Sequence, residues 1–189
     1  MSRGLGDVYK RQEEELLNMI RVFKEKGTGF IADVVINHRN GVTNWTDFPT
    51  EEWNGTTWKI GPEGICRNDE VASASGQATP TGANDTGDNF DGARDLDHTN
   101  ANVQDNCKNY QKCLMEKYGY AGFRLDMVKG YGGQYTKIYN DYSQPEFCVG
   151  EYWDASYDAV KAWIDATGKT SAAFDFPCKY AINKAFSNN

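Results

Sequence analysis

Several patterns that would assign this chain to a common class are missing from its sequence. No apolar run approaches the roughly 18 residues that a membrane-spanning helix needs. The five cysteines form no CxxC motif and show no metal-binding spacing, and their odd number argues against a complete set of disulfides. Acidic residues outnumber basic ones and leave a net charge of −7, which disfavours nucleic acid and anionic membranes as partners. Histidine is scarce, with only His38 and His98 present.

What is present indicates a globular chain of alternating strands and helices. The 189 residues, 39% of them hydrophobic, suffice for a real core. Apolar residues recur with helical spacing at 13–26, 101–118 and 156–167, with a shorter helix near 134–139. Short apolar runs at 29–36, 121–125, 147–149 and 172–176 are typical of buried strands, and another helix follows with Pro177 in its first turn. This alternation predicts an α/β fold with a parallel sheet.

The spacing of the strand ends predicts part of a barrel. Asp126, Glu151 and Asp175 end successive predicted strands at intervals of roughly 25 residues, as in tightly wound strand–helix units. Eight such units need about 200 residues before any insertion, and four strands are predicted here. We therefore predict a partial (β/α)8 TIM barrel, about strands 3 to 6, cut at both ends.

The chain divides into four predicted segments. Residues 1–12 lack periodicity and are predicted to be a disordered or non-native leader, whose deletion leaves stability unchanged. Residues 13–39 and 100–189 are assigned to the barrel. Residues 40–99 are irregular and rich in Gly, Asn, Asp and Thr. Because a structureless loop of that length is improbable inside a compact domain, we predict an inserted domain after strand 3.

Two strand ends carry candidate catalytic acids. Arg124 and Asp126 are two residues apart in a strand, so their side chains point to the same face, and Arg124 can hold Asp126 ionised as a nucleophile requires. Aromatic neighbours, including Trp153, can desolvate Glu151 and favour the protonated form that a general acid needs. A structural salt bridge and a solvated charge at a strand end are the competing interpretations. Two acids on neighbouring strands are what glycosidases use.

Other residues suit metal or substrate binding. Asn37 and His38 end the first predicted strand, and amide oxygens suit hard cations while histidine can donate to hydroxyls. The tract 84–97 is dense in oxygen ligands, among them Asp85, Asn89 and Asp95, but it lacks the spacing of an EF-hand. A flexible acidic loop explains its composition equally well.

Taken in order, these motifs resemble the α-amylases of glycoside hydrolase family 13, in particular the plant-type members. The motifs are DVVINH at 33–38, GFRLDMVKGY at 122–131, VGEYW at 149–153 and the tract 85–98. The resemblance covers nearly everything from about residue 13 to 186. It implies a (β/α)8 barrel with a B domain after strand 3, and retaining hydrolysis of internal α-1,4 bonds in starch or glycogen. An extracellular location is implied only by analogy, and no signal peptide is recognised in the chain as given.

The resemblance also implies roles for individual residues. Asp126 would be the nucleophile and Glu151 the acid/base. Substrate would be bound by His38, Arg124, Lys129 and Trp153. Calcium would be held by Asn37, Asp95 and the carbonyl of Gly130, with Asp85 or Asn89 serving a further ion. The implied protein is a monomer with an α-glucan partner and calcium as its cofactor.

One departure separates the chain from the family. The fourth signature of the family, which supplies a third carboxylate and a second substrate histidine, falls after strand 7, whereas this sequence stops near strand 6. We therefore expect the parent protein to be an amylase and this fragment to be poorly active and poorly stable. The alternatives are a related α-glucosidase or transglycosylase, a non-catalytic glucan-binding relative, and a magnesium-dependent barrel enzyme.

Overall fold

A computed structural model describes residues 5–42, 46–68 and 78–187, with side chains from residue 12 onward. Within these ranges the helices are α1 (Leu5–Glu25), α2 (Ala101–Glu116), α3 (Gly133–Ser143), α4 (Tyr157–Ala166) and α5 (Phe176–Ser187). The strands are β1 (Ile31–Val34), β2 (His38–Arg39), β3 (Glu51–Trp53), β4 (Thr56–Trp58), β5 (Arg94–Asp95), β6 (Gly122–Leu125), β7 (Phe147–Gly150) and β8 (Ala172–Ala173). None of the described helices combines the length and hydropathy that a membrane span requires.

Four strands form one parallel sheet in the order β1-β6-β7-β8. Asp33 of β1 lies opposite Arg124 of β6, and Arg124 lies opposite Val149 of β7. Helix α3 connects β6 to β7, and α4 connects β7 to β8, as expected for parallel strands. The predicted α/β class and partial barrel are therefore confirmed.

The core lies between this sheet and the helices that cover one of its faces. Side chains alternate along β1, so that Ala32 and Val34 are buried while Ile31 is exposed. The buried face continues through Phe123 and Leu125 of β6. The helices contribute further members of the same apolar cluster, namely Val103, Cys107, Tyr139 and Trp163.

Local signals explain where the helices begin and end. The side chain of Asn100 caps α2 by accepting hydrogen bonds from two backbone amides. Ser156 caps α4 as its position predicts, by accepting from the amide of Ala159 at 3.2 Å. Gly119 and Gly168 follow α2 and α4 with φ of 82° and 63°, a left-handed conformation that costs glycine little.

The predicted insertion, residues 40–99, contributes strands to two small antiparallel ladders. Strands β2 and β5 pair with one another, and β3 and β4 form a hairpin whose turn, Asn54–Gly55, has positive φ at both residues. Phe48, Ile60 and Leu96 belong to the same buried cluster as the sheet residues. The insertion therefore packs on the barrel segment through shared apolar contacts.

Several boundaries differ from the sequence predictions. Helix α1 begins at Leu5 instead of residue 13, so disorder is the wrong description for 5–12; residues 1–4 lie outside the described part, and a non-native origin stays a prediction. Helix α3 extends to Ser143, where Gln144 takes a left-handed conformation. Strand β8 is shorter than predicted because the chain turns into α5 directly after Phe174, whose amide still bonds to Gly150.

Candidate active site

The two predicted catalytic acids follow neighbouring strands of the sheet. Asp126 comes directly after β6, and its amide bonds to the carbonyl of Val34 at 2.9 Å. Glu151 comes directly after β7, and its amide bonds to the carbonyl of Leu125 at 2.9 Å. The parallel ladder thus continues one residue beyond each strand, so the backbone of both acids is held by the sheet. Catalytic groups of TIM barrels occupy this end of the strands.

One guanidinium joins three carboxylates at this end of the sheet. Nη1 of Arg124 lies 2.7 Å from Oδ1 of Asp33 and 2.5 Å from Oδ1 of Asp126, while its Nη2 lies 2.9 Å from Oε2 of Glu151. We call Asp33, Asp126 and Glu151 with Arg124 the carboxylate cluster. Because both predicted acids reach the same guanidinium, they lie on the same side of the sheet and within mutual reach.

The acids of the cluster differ in their access to water. The side chains of Asp126 and Glu151 are 26% and 21% exposed, whereas that of Asp33 is 70% exposed. Burial alone lowers the pKa of Arg124, but its hydrogen bonds to Asp33 and Asp126 reverse this and raise it. The guanidinium therefore stays charged, and the two partly buried acids remain open to a ligand on one side.

The backbone around Glu151 fixes the direction of its carboxylate. Met127, directly after Asp126, has a left-handed conformation, and its amide points at Oε2 of Glu151 at 3.4 Å. A Cβ at Gly150 would overlap the indole of Trp163, so only glycine lets α4 approach the end of β7 this closely. A non-glycine residue with positive φ is uncommon and often marks a functional site.

The predicted substrate residue Trp153 forms an aromatic cluster with helix α5. Its indole stacks on Phe176 with ring centroids 5.2 Å apart and planes 9° from parallel. Its Nε1 donates to the hydroxyl of Tyr180 at 2.5 Å. The side chain is nevertheless exposed, so the indole presents an accessible aromatic surface two residues beyond Glu151.

His38 stands beside the carboxylate cluster in β2. Its ring stacks on Phe90, with centroids 4.0 Å apart, and its Nδ1 lies 3.2 Å from Nδ2 of Asn37. Burial lowers the pKa of His38, while the nearby charge of Asp126 opposes this effect. A neutral imidazole next to the acids can donate a hydrogen bond to a hydroxyl.

Lys129 is held by carboxylates from two different segments. Its Nζ lies 3.1 Å from Oδ2 of Asp88 in the insertion and 3.1 Å from Oδ2 of Asp154 between β7 and α4. Burial lowers the pKa of Lys129, but these two hydrogen bonds outweigh it and raise the pKa overall. The residue therefore ties the insertion to the loop that follows Glu151, and its predicted contact with substrate stays a prediction.

The three residues predicted to hold calcium converge at the base of the insertion. Nδ2 of Asn37 donates to Oδ1 of Asp95 at 3.0 Å, and a Cβ at Gly130 would overlap the amide oxygen of Asn37. Asn37 and Asp95 are both buried. Oxygen donors of these kinds suit calcium, so the donor set fits the ion in its chemistry.

The remaining predicted calcium ligands are less clearly arranged. Oδ1 of Asp85 accepts a hydrogen bond from the amide of Thr86 at 2.8 Å, which makes a local turn. The position of Asn89 gives no support for a role as a ligand. Within the described ranges no group of three or more His, Cys, Asp and Glu side chains could hold a metal. The convergent set thus contains a single carboxylate, that of Asp95.

Sequence patterns missed several residues of this site. Asp33 was predicted to lie in a buried strand, whereas in the structure it shares the open face with the exposed residues Ile31 and Val35. No local sequence pattern predicted that Asp88 and Asp154 would bind Lys129. The same holds for Phe90, which stacks on His38. These contacts join segments far apart in the sequence, so only the fold reveals them.

Comparisons with known proteins find α-amylases among the relatives of this chain. No family model matches the chain. It is 32% identical over 189 residues to "Probable alpha-amylase 2" of Arabidopsis thaliana, covering 92% of this chain and 43% of the relative. It is 33% identical over 193 residues to "Alpha-amylase 3, chloroplastic" of the same plant, covering 91% of this chain and 20% of the relative. The chain thus spans less than half the length of these curated relatives.

A solved structure supports the fold. The α-amylase of Geobacillus thermoleovorans, crystallised with acarbose, superposes with a TM-score of 0.59 at 16% identity, covering 87% of this chain and 34% of that one. The fold is that of part of a (β/α)8 barrel. The chain is similar over most of its own length to plant α-amylases, and its fold matches part of the barrel of glycoside hydrolase family 13 α-amylases.

Proposed function

We propose that this chain supplies the nucleophile and the acid/base of a retaining α-amylase that cleaves internal α-1,4 bonds of starch or glycogen. The observation that carries the proposal is the shared guanidinium of Arg124, which contacts both Asp126 and Glu151 at the ends of adjacent strands. The 32–33% identity to plant α-amylases over nearly the whole chain supports the same substrate class.

The proposed reaction proceeds by two displacements. A carboxylate oxygen of Asp126 attacks the anomeric carbon while the glycosidic C–O bond breaks, and Glu151 gives its proton to the departing oxygen. The product of this step is a glycosyl ester on Asp126. Glu151 then removes a proton from water, whose oxygen attacks the same carbon and releases Asp126 as a carboxylate. Two inversions give net retention of the anomeric configuration.

Neighbouring residues would support these steps. Arg124 orients Asp126 through its ion pair and offsets the repulsion between the two carboxylates. His38 would donate a hydrogen bond to a sugar hydroxyl, and the exposed indole of Trp153 would pack against a sugar ring. Lys129 would contact sugar on the product side, which requires it to exchange one of its carboxylate partners.

A trapping experiment tests the proposed nucleophile. A 5-fluoro-α-glucosyl fluoride forms the glycosyl ester quickly and hydrolyses it slowly, so even a weakly active chain accumulates label. We expect mass spectrometry to find the label on the peptide that contains Asp126, and Asp126→Asn to remove it. Asp33→Asn is the matched control, since Asp33 also contacts Arg124, and it should keep the label. Label on another carboxylate, or none in the unmodified chain, would contradict the proposal.

We also propose that Asn37, Asp95 and the carbonyl of Gly130 hold a calcium ion that fastens the insertion to the barrel. When bound, the ion would neutralise the buried Asp95 carboxylate and link three segments. At calcium concentrations about 100 times its dissociation constant, binding stabilises the folded chain by about 2.7 kcal/mol. This corresponds to a rise in melting temperature of about 5–10 °C for a chain of this size.

Thermal unfolding with calcium and with a chelator tests this site. Asp95→Asn is expected to abolish the calcium-dependent rise, whereas Asp91→Asn, an exposed acid of the same tract, should retain it. An unmodified chain that melts at the same temperature in both conditions would show that the residues do not bind the ion.

On soluble starch we expect the 189-residue chain to release reducing sugar far below an ordinary enzyme rate. The resemblance implies a third carboxylate beyond the motifs found here, and the 189 residues span less than half the length of the curated relatives. The two acids present can still form and hydrolyse the ester, but one contact to the transition state is absent from these residues. An ordinary rate from this chain would show that the third carboxylate is not needed.

A further inference from the structure

A groove away from the carboxylate cluster has the chemistry of a sugar-binding site. It lies between the β3–β4 hairpin and the outward face of α2, and its volume is about 270 Å³. None of the residues that line it belongs to the carboxylate cluster or to the predicted substrate residues. This is slightly below the range of about 300–1,000 Å³ that is usual for ligand pockets, so the groove has room for the end of a sugar chain and not for a long polymer segment.

The lining combines aromatic surface with neutral and acidic hydrogen-bonding groups. Trp53, Trp58 and Tyr110 supply the aromatic part, and Glu52, Asn106 and Asn109 supply carboxylate and amide groups. Trp58 is almost fully buried and forms the floor, while Trp53 and Tyr110 are partly exposed. A sugar ring has an apolar C–H face and a polar edge of hydroxyls, which such a lining complements.

The walls of the groove are fixed before any ligand arrives. Nε1 of Trp58 donates to Oδ2 of Asp105 at 2.9 Å, which ties the hairpin to α2. Nη2 of Arg39 donates to Oδ1 of Asn106 at 2.7 Å, and Nδ2 of Asn106 donates to Oε2 of Glu51 at 2.5 Å. Because hydrogen bonds already hold these side chains in place, ligand binding loses little free energy to ordering them.

The charges of the groove favour a neutral ligand. Glu51 is neutralised by Arg39, whose Nη1 lies 3.1 Å from its carboxylate. Glu52 adds a further negative charge, and the described residues of the lining include no lysine or arginine, so phosphate and carboxylate ligands are disfavoured. Burial raises the pKa of Tyr110, so its phenol remains a proton donor at neutral pH.

We propose that this groove is a second binding site for the end of a short α-glucan, separate from the site of bond cleavage. The choice of α-glucan rests on the proposed function, while the preference for a neutral sugar rests on the groove itself. In this site a glucose ring packs on Trp53 and Tyr110, and its hydroxyls bond to the carboxylate of Glu52 and the phenol of Tyr110. The site tethers substrate without touching the reacting bond.

Indole resonances provide the direct test, because the two sites contain different tryptophans. The ¹⁵N-labelled chain is titrated with maltotriose while the indole N–H signals are followed. We expect saturable shifts of Trp53 and Trp58, and a loss of affinity of about tenfold in Trp53→Ala, as for truncation of an aromatic anchor. Glu52→Ala should also weaken binding, and it avoids any effect on the buried floor. Tyr157→Ala, an exposed aromatic residue elsewhere, is the matched control and should bind normally.

The outcomes separate this proposal from the catalytic one. Shifts confined to Trp153, or no shift at all, would overturn the second site and leave the labelling of Asp126 as an independent result. Equal binding of cellotriose would overturn the assignment to α-glucan, and tighter binding of tetramethylammonium would show that the groove prefers cations. Conversely, shifts at Trp53 in a chain whose Asp126 is never labelled would support the binding site alone.

Discussion

Opposite faces of the same four strands serve different purposes in this chain. Val34, Phe123 and Leu125 point toward the helices and are completely buried. Ile31 and Phe147, on the other face, are 43% and 50% exposed. The open face also carries the carboxylate cluster. One face follows the ordinary rules of core packing, while the other, which is the interior face of the partial barrel, carries charges beside uncovered apolar residues.

The largest expected effect is a difference in stability between two variants, each of which truncates one aromatic residue on one face of the sheet. Phe123→Ala removes a fully buried ring and is expected to lower the free energy of unfolding by about 3–5 kcal/mol. Phe147→Ala removes a ring that remains half in water, so its cost should stay within about 1 kcal/mol. Urea unfolding of both variants at one pH measures the difference. Equal losses would show that the two faces are covered alike.

The two histidines extend the comparison to pH. His98 stacks on Tyr131 with ring centroids 4.3 Å apart, and its Nδ1 bonds to the hydroxyl of Tyr139 at 2.6 Å. Burial lowers its pKa to about 4, although the charge of Asp97 opposes the shift. Histidine in an unfolded chain has a pKa of about 6.5, so the unfolded state binds more protons between these values. The stability that neutral His98 contributes is therefore complete above about pH 6.5.

As pH falls from about 6.5 to about 4, this contribution of roughly 3 kcal/mol is lost. Denaturant unfolding at several pH values should show a smaller slope in this window for His98→Gln than for the unmodified chain. His38→Gln, which alters the half-buried ring beside the open face, should keep most of the slope. An unchanged slope in His98→Gln would mean that the buried imidazole already accepts a proton in the folded state.

A smaller loss of stability is expected from a substitution at Gly150, which packs against α4 and directly precedes Glu151. Gly150→Ala places a methyl group against the indole of Trp163, and such overpacking costs about 1–3 kcal/mol. Because Glu151 follows directly, the change should also reduce labelling of Asp126 by the fluorinated sugar. Adding Trp163→Ala to this variant removes the clash. The stability losses of the two single variants should therefore sum to more than the loss measured for the double variant. Strict additivity would argue against a direct contact.

The order of strands and helices was predictable because it depends on local patterns. Apolar runs located β1, β6 and β7, and the acids that follow β6 and β7 were predicted as site residues. The helix start at Leu5 was missed because the residues before 13 show no clear periodicity. The Asn54–Gly55 pair is a strong sequence signal of a hairpin turn, although residues 40–99 were predicted only as an irregular insertion.

The coverage of each face was not predictable from the sequence. Asp33 sits in an apolar run that fits a strand buried on both sides equally well, and only the register with Arg124 shows that it faces the acids. His98 gave no sign of its burial among tyrosines, which come from α3 and the turn before it. Such contacts depend on how distant segments are packed together.

The carboxylate cluster leaves an excess of negative charge where the sugar would react. With all groups ionised, three acids and one guanidinium carry a net charge of −2, and protonation of Glu151 reduces this to −1. A pyranose ring that gains positive character as its bond breaks is stabilised by this field. For the same reason, sugar mimics with a protonated ring nitrogen should inhibit better than neutral ones, and glucuronic acid derivatives should be poor inhibitors.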